Sequence, residues 1–434
     1  MTAPLTARCC RLRAGLLCFV IATAGHAQKM VDLQRFAGLP RLPIAPDTLA
    51  LLLVEFDDVT HAWYDSAGVR IPFDRVYRWR DFHNMMASRG CYFTEHTGMR
   101  SPEGEPVFGS FVDYFADMSG GKYVPVVQIL NDSTADGLPR WLPLGARKTA
   151  YFGAANWDKL YQHARQAAAR HGLDVRITPQ RRMVIIYAGN RRGKGARLFG
   201  VCDARPLPEF FFSSERWTFT GGANDYDEAR HARLSHMGPF CHEMNHMLGE
   251  MHHDVALWDM MGNGHKNSVA GGFGNCPAPL NPWFRARLGW LALHEMPCNR
   301  RVTLVYGDAR HNFYLWQVPQ QGFALLFEHR RYHRGYDRGL PGRAAGEAGG
   351  LLIWRISGGS SDLLEADGRS GEDNAVHDIF RVTSAPADTT RDLLLRRRPL
   401  PLASLTRLHK QVPGLAVEIL QQRGDTLKLR VKCP

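Results

Sequence analysis

The sequence has no apolar run of about 18 residues, the length needed to span a bilayer, so stable membrane insertion is not expected. It contains no internal repeats and no disordered tail, which argues against a solenoid or a linker-dominated chain. A phosphate loop is missing too. The Gly-rich stretch at 189–195 is one residue short of that pattern, and Gly195 stands where Ser or Thr would hold Mg²⁺. Acidic residues are under-represented: 42 Asp and Glu face 54 Lys and Arg, giving a net charge of +12. No nucleic-acid recognition motif accompanies the basic clusters at 191–197 and 396–398, so they read as solvated loops and no nucleic-acid partner is expected. The cysteines show no zinc-ribbon spacing.

What is present begins with an export signal. Arg8, Arg11 and Arg13 form a basic start, Ala14 to Ala24 a short apolar run, and Gly25-His26-Ala27 a small-residue cut site. Residues 1–27 are therefore expected to leave, placing the mature chain in an extracellular or periplasmic compartment. Cys9, Cys10 and Cys18 go with the leader. Cys91, Cys202, Cys241, Cys276, Cys298 and Cys433 remain, an even set that suggests disulfides in an exported protein. Cys241 reads alternatively as a buried thiol. At 434 residues, 44% of them hydrophobic, the chain is long enough for two or three compact units.

The chemistry concentrates at residues 242–252, His-Glu-Met-Asn-His-Met-Leu-Gly-Glu-Met-His, which follow the spacing H-E-x-x-H-x-x-G-x-x-H. His242 and His246 are one helical turn apart and share a face, so their imidazoles can hold one Zn²⁺. Glu243 points beside such a metal and suits a general base acting on water there. Gly249 is the expected helix end, since glycine accepts the left-handed conformation that stops helices. The turn would bring back His252 as the third ligand, with His253 and Asp254 as adjacent competitors. Three protein ligands with an open fourth position describe a catalytic site and not a structural one. The spacing is similar to that of the metzincin clan of zinc proteases, which also carry a methionine turn beneath the metal; Met261 in Trp258-Asp259-Met260-Met261-Gly262 is the candidate.

Periodicity organises the rest. Strands are expected at 49–56, 123–130 and 182–188, and helices at 75–87, 110–118, 157–171 (capped by Asn156), from Ser235 or Pro239, and at 281–287. Phe240, Cys241, Met244 and Leu248 should form the apolar face of the motif helix. Residues 189–233 read as loop-rich. Asn131-Asp132-Ser133 is a weak glycosylation sequon. From residue 300 short strands follow at 301–306, 313–318, 324–328, 351–356, 376–382, 415–420 and 425–431, a β-rich C-terminal unit. His311, His329 and His333 read as surface or loop histidines.

With these residues assembled, the chain resembles the M6 family of secreted metallopeptidases, the immune-inhibitor-A-like group. Leu51–Asp58, Gly109–Val124 and His242–Met261 carry the resemblance. Farther along, so do Arg287–Leu291, Gly335-Tyr336-Asp337 with Leu340-Pro341-Gly342, Gly350–Trp354 and Val417–Val431. Three features depart from it. Relatives often have Leu-Pro-Asp where this chain has Glu250-Met251-His252, His where it has Arg355, and a long propeptide that it lacks.

The resemblance implies an α+β fold: a metzincin-like catalytic domain, with a twisted mixed sheet and two long helices, over 28–298, then a sandwich-like β domain over 299–434. It implies a zinc endopeptidase acting on protein or peptide substrates. The rivals are a catalytically silent relative that binds extracellular proteins or glycans, and a structural zinc protein. The sequence gives no support for Ca²⁺ and does not fix the oligomeric state.

Overall fold

Leu49 to Val54 are apolar without a break, and all six are at most 1% exposed. A strand buried on both faces needs neighbours on both edges and a layer on each side. In the computed structural model, strand β1 (Thr48–Glu55) has both. The structure describes residues 29–33, 45–66, 68–151, 156–189, 233–250, 257–270, 273–307, 313–332, 334–340, 349–364 and 414–434, with a few isolated positions and short strands besides.

Parallel to β1 run β4 (Val126–Ile129) and, farther along, β5 (Leu142–Pro143) on one edge, and β6 (Arg181–Tyr187) on the other. Strand β9 (Glu209–Ser213) continues the sheet beyond β6, also parallel. A mixed sheet was expected, yet every pairing among the described residues of this sheet is parallel; helices separate β1 from β4 and β5 from β6, as parallel neighbours require. Strand β9 was also missed within the stretch read as loop, although Phe210-Phe211-Phe212 was a signal for it.

The period-2 alternation of β1 sorts its side chains between two cores. Leu49, Leu51 and Leu53 join Val184 and Ile186 of β6 on the face covered by α1 (Trp79–Met86), α3 (Phe111–Met118) and α5 (Met237–Met247). Leu52 and Val54 join Met183, Ile185 and Tyr187 on the face covered by α4 (Trp157–Arg170). A one-turn helix, α2 (Thr94–Thr97), precedes α3, and two small hairpins, β2–β3 (Trp63–Ser66 and Val69–Pro72) and β7–β8 (Arg192–Gly193 and Ala196–Arg197), lie off the sheet.

Helix α1 starts at Trp79, four residues later than periodicity suggested, because the Asp81 carboxylate accepts the Arg78 N–H at 2.8 Å. Helix α3 starts as expected, with Ser110 and Asp113 exchanging cap hydrogen bonds. Asn156 occupies the cap position of α4 but its side chain makes no cap hydrogen bond.

Asn131 is no glycosylation acceptor in the folded chain. It is 3% exposed, its Oδ1 accepts the Leu53 N–H at 2.7 Å, and its Nδ2 donates to the carbonyls of Leu53 and Arg140. The side-chain amide thus stands in for a strand where β4 has ended and β5 has not begun.

The β-rich C-terminal region is present. One sheet has the order β10 (His294–Glu295), β12 (Tyr314–Gln317), β13 (Phe323–Arg330), β14 (Gly350–Ser357), β15 (Ser360–Leu363). A second has the order β11 (Arg301–Val305), β17 (Thr426–Lys432), β16 (Ala416–Arg423). Phe323, Leu325 and Phe327 of β13 pack with Val302, Leu304, Val417, Leu427 and Leu429 between the two sheets. The alternate residues Ala324 and Leu326 pack with Trp258, Trp283 and Ala286 on the opposite face. Helix α6 (Pro282–Arg287) supplies Trp283 and Ala286; the Asn281 side chain caps it.

The molecule is thus mixed α/β with several sheets. The strand expected at 376–382 and the leader lie outside the described residues, and no helix among those described is long and apolar enough to cross a membrane. Among the described residues one disulfide, Cys298–Cys433, ties the start of the C-terminal region to the residue just after its last strand. Cys241 is the buried thiol of the alternative reading, with its pKa pushed well up by burial. Cys202 lies outside the described residues.

Candidate metal centre

Helix α5 carries the motif. Phe240, Cys241, Met244 and Leu248 are at most 1% exposed and belong to the sheet-facing core, as expected. Its start is fixed from far away in sequence. Glu105 meets His236 Nε2 at 2.8 Å and Arg233 at 2.8 Å, and Glu103 accepts the Leu234 N–H at 2.9 Å. The helix therefore begins at Met237 on an acidic loop that sequence reasoning did not connect with it.

Its end is fixed by Gly249, at φ +96°. The Gly249 N–H donates to His246 O at 2.9 Å, and the Glu250 N–H donates to Asn245 O at 3.0 Å. These are the two hydrogen bonds of a Schellman turn. The turn folds the Glu250 carbonyl back over the helix, where His246 Nδ1 lies 2.8 Å from it. The device that stops the helix thus also orients the second histidine.

The first histidine is oriented from another segment. The Asp259 carbonyl accepts the Gly262 and Gly264 N–H groups, closing a tight turn. Asn281 locks it, its N–H donating to Asp259 Oδ1 at 3.1 Å and its Nδ2 to Oδ2 at 3.0 Å. The turn presents the Met260 carbonyl to His242 Nδ1 at 2.9 Å. Met261 is fully buried in the same core as Met244 and Phe240.

The two rings lie 4.8 Å apart between centroids. A backbone carbonyl accepts only from an N–H, so each imidazole carries its proton on Nδ1 and its lone pair on Nε2. That tautomer, held by an outer carbonyl, is how metal-ligating histidines are usually fixed. Glu243 and His246 are half-buried, while His242 is 4% exposed.

The structure adds His265, which the sequence did not single out. Its ring lies 4.3 Å from that of His242, and its Nδ1 is 2.9 Å from Gly262 O. Gly238 makes room for it: a Cβ there would meet His265 O at 2.1 Å and Gly274 Cα at 2.9 Å, so a glycine lets the 263–266 turn lie against α5. His252 and its competitors His253 and Asp254 lie outside the described residues. Among the described residues, no group of three or more His, Cys, Asp or Glu side chains is placed to hold a metal. The histidines of α5 supply two imidazoles in a tautomer that can ligate a metal through Nε2. His329 departs from the surface or loop reading: it is 4% exposed, on β13. His311 and His333 lie outside the described residues.

Gly249→Ala is expected to cost about 1–3 kcal/mol of stability, from the positive φ. If the motif histidines hold zinc, it should also weaken zinc binding by about 10–100-fold, because the Glu250 carbonyl no longer orients His246. Urea unfolding and competitive zinc titration check both, and unchanged zinc affinity would refute the link between turn and ligand.

No protein-family model and no curated protein matches the chain. Among the solved structures similar to it are two of wild-type OgpA from Akkermansia muciniphila, in different crystal forms. The first has a TM-score of 0.30 at 12% identity, covering 74% of this chain and 85% of its own. The second has a TM-score of 0.29 at 11% identity, covering 74% and 86%. Likeness at that level carries neither fold nor function across.

Proposed function

We propose that the chain is an exported, zinc-dependent endopeptidase of the M6 type, with a metzincin-like catalytic part. The observation that supports it most is the pair of imidazoles on α5, each with its Nδ1 against a backbone carbonyl, the arrangement in which Nε2 carries the lone pair a metal would use. His242 and His246 hold the ion. The motif names His252 as the third ligand, and His265 is the described histidine nearest the pair.

Zn²⁺, when bound, supplies Lewis-acid chemistry, polarising a peptide carbonyl and making nearby water more acidic. The remaining work belongs to side chains. Glu243 accepts a proton from the attacking water on its carboxylate and delivers it to the leaving amine. Met261, on the turn below, supports the site without touching substrate. The disulfide and the absence of a membrane-crossing helix among the described residues are compatible with export.

The test is to measure bound zinc and cleavage of casein or gelatin with and without chelator. About one zinc per chain and chelator-sensitive cleavage are expected. Zinc without cleavage would sink the enzyme reading, and no zinc would sink the metal reading. His252→Ala and His265→Ala, compared for zinc retention, identify the third ligand.

A further inference from the structure

The second sheet of the C-terminal region buries one face and turns the other to solvent. Strand β17 runs between β11 and β16, and its Leu427, Leu429 and Val431 are 0% exposed in the core between the sheets. With a side-chain period of two, Thr426, Lys428, Arg430 and Lys432 point the opposite way. Their cross-strand partners share that outward face. Arg301 and Glu418 flank Arg430, Thr303 and Gln421 flank Lys428, and Arg423 stands opposite Thr426.

This face carries the cations Arg301, Arg423, Lys428, Arg430 and Lys432 against a single carboxylate, Glu418. Glu418 is shared between Lys432 at 2.5 Å and Arg430 at 3.6 Å. Arg301, Arg423 and Lys428 are exposed, with no acidic partner among the described residues. A solvated face ordinarily intersperses the two signs, and like charges directly opposite each other destabilise a sheet. Arg301 nevertheless faces Arg430 across the ladder. An anion lying over the face relieves that repulsion.

The geometry narrows the choice of polyanion. Along β17 the cations recur at every second residue, about 7 Å apart, which matches a linear chain with regularly repeated charges. Duplex DNA fits poorly: its major groove admits one helix or a two-stranded ribbon, and this face is three strands wide. A single nucleic-acid strand stacks its bases on aromatic rings, and the three strands hold none. A firm hold on a bilayer takes inserted apolar groups as well as charge, and Leu420 is the one large apolar side chain these strands expose. Between the cations stand Thr303, Thr426 and Gln421, whose hydroxyl and amide groups can both donate to and accept from sugar hydroxyls. We propose that the outward face of the β11–β17–β16 sheet binds a linear acidic polysaccharide, with its sulfate or carboxylate groups on the cations and its hydroxyls on the polar side chains. The surface shares no residue with the α5 site, so its binding stands or falls apart from the zinc chemistry.

Calorimetric titration of the full chain with a heparin oligosaccharide tests it, beside dextran, duplex DNA and phosphatidylglycerol vesicles. Heparin should bind, dextran should not, and the affinity for heparin should fall as NaCl is raised. Arg423→Glu/Lys428→Glu should weaken heparin binding by about tenfold or more, with a melting temperature near that of the wild type because both side chains are exposed. Lys159→Glu/Arg170→Glu makes the same change of net charge on exposed positions of α4 and should stay within about threefold of the wild type. No binding of heparin, equal binding of dextran, an equal loss in the two double variants, or tighter binding of the DNA or the vesicles would overturn the proposal.

Discussion

Glu243→Gln should lower proteolytic turnover by about a hundred- to ten-thousand-fold while leaving zinc content unchanged. The substitution keeps the shape of the side chain and removes its basicity. The carbonyls that orient the two imidazoles belong to Met260 and Glu250, so neither is disturbed by a change at 243. Helix packing is also spared, because Glu243 is half-exposed and the core-facing positions are Phe240, Cys241 and Met244. Zinc by mass spectrometry and turnover of a fluorogenic peptide, measured on one preparation, check the two halves together. Turnover within about threefold of wild type would remove Glu243 from the mechanism, and loss of zinc would show that its role is structural.

The second large effect is on stability. Asp337→Asn should cost about 3–5 kcal/mol, the range for breaking a buried ion pair. Asp337 is fully buried and accepts from Arg330 Nε at 2.9 Å on both oxygens and from Nη2 at 2.6 Å. The same guanidinium donates to Glu328 at 3.3 Å and to the Trp258 carbonyl at 3.1 Å. Burial pushes the Asp337 and Glu328 carboxyls upward, and Arg330 is what opposes that. With Asn at 337, the cation keeps the Glu328 contact but loses its fork-to-fork partner.

Trp258 stands two residues before Met260, whose carbonyl holds His242, so the damage should also reach zinc affinity. Urea unfolding at neutral pH measures the loss, and a cost below about 1 kcal/mol would contradict the account. The double variant Arg330→Met/Asp337→Leu should recover part of it, because two apolar side chains leave no orphaned charge.

Much of the fold could be read from apolar spacing. The unbroken run at 49–54, the short apolar strands between turns after residue 300 and the apolar face of α5 each have one physical solution, burial. Gly249 was legible for the same kind of reason, since few residues accept its backbone conformation. The centre itself was legible only in its side chains. Its orienting groups are the carbonyls of Met260 and Glu250, which belong to the backbone and leave no letter in the sequence. The contacts of Glu105 with His236, and of Asp259 with Asn281, join residues far apart in the chain, and spacing does not report on such pairs. His265 escaped notice because its place beside His242 depends on the absence of a side chain at Gly238. Asn131 misled in the opposite way: a short surface motif matched, and three hydrogen bonds use up the amide that the motif would offer.

The bond between Cys298 and Cys433 makes the C-terminal region a covalent ring. A single backbone cut anywhere inside that ring opens a loop but releases nothing, since both new fragments stay joined through sulfur. They also stay joined through the core that Val302, Leu304, Leu427 and Leu429 share with β13. Where a protease can reach it, a nick there would be invisible until the disulfide is reduced. The ring thus turns a severing event into a tolerated scar.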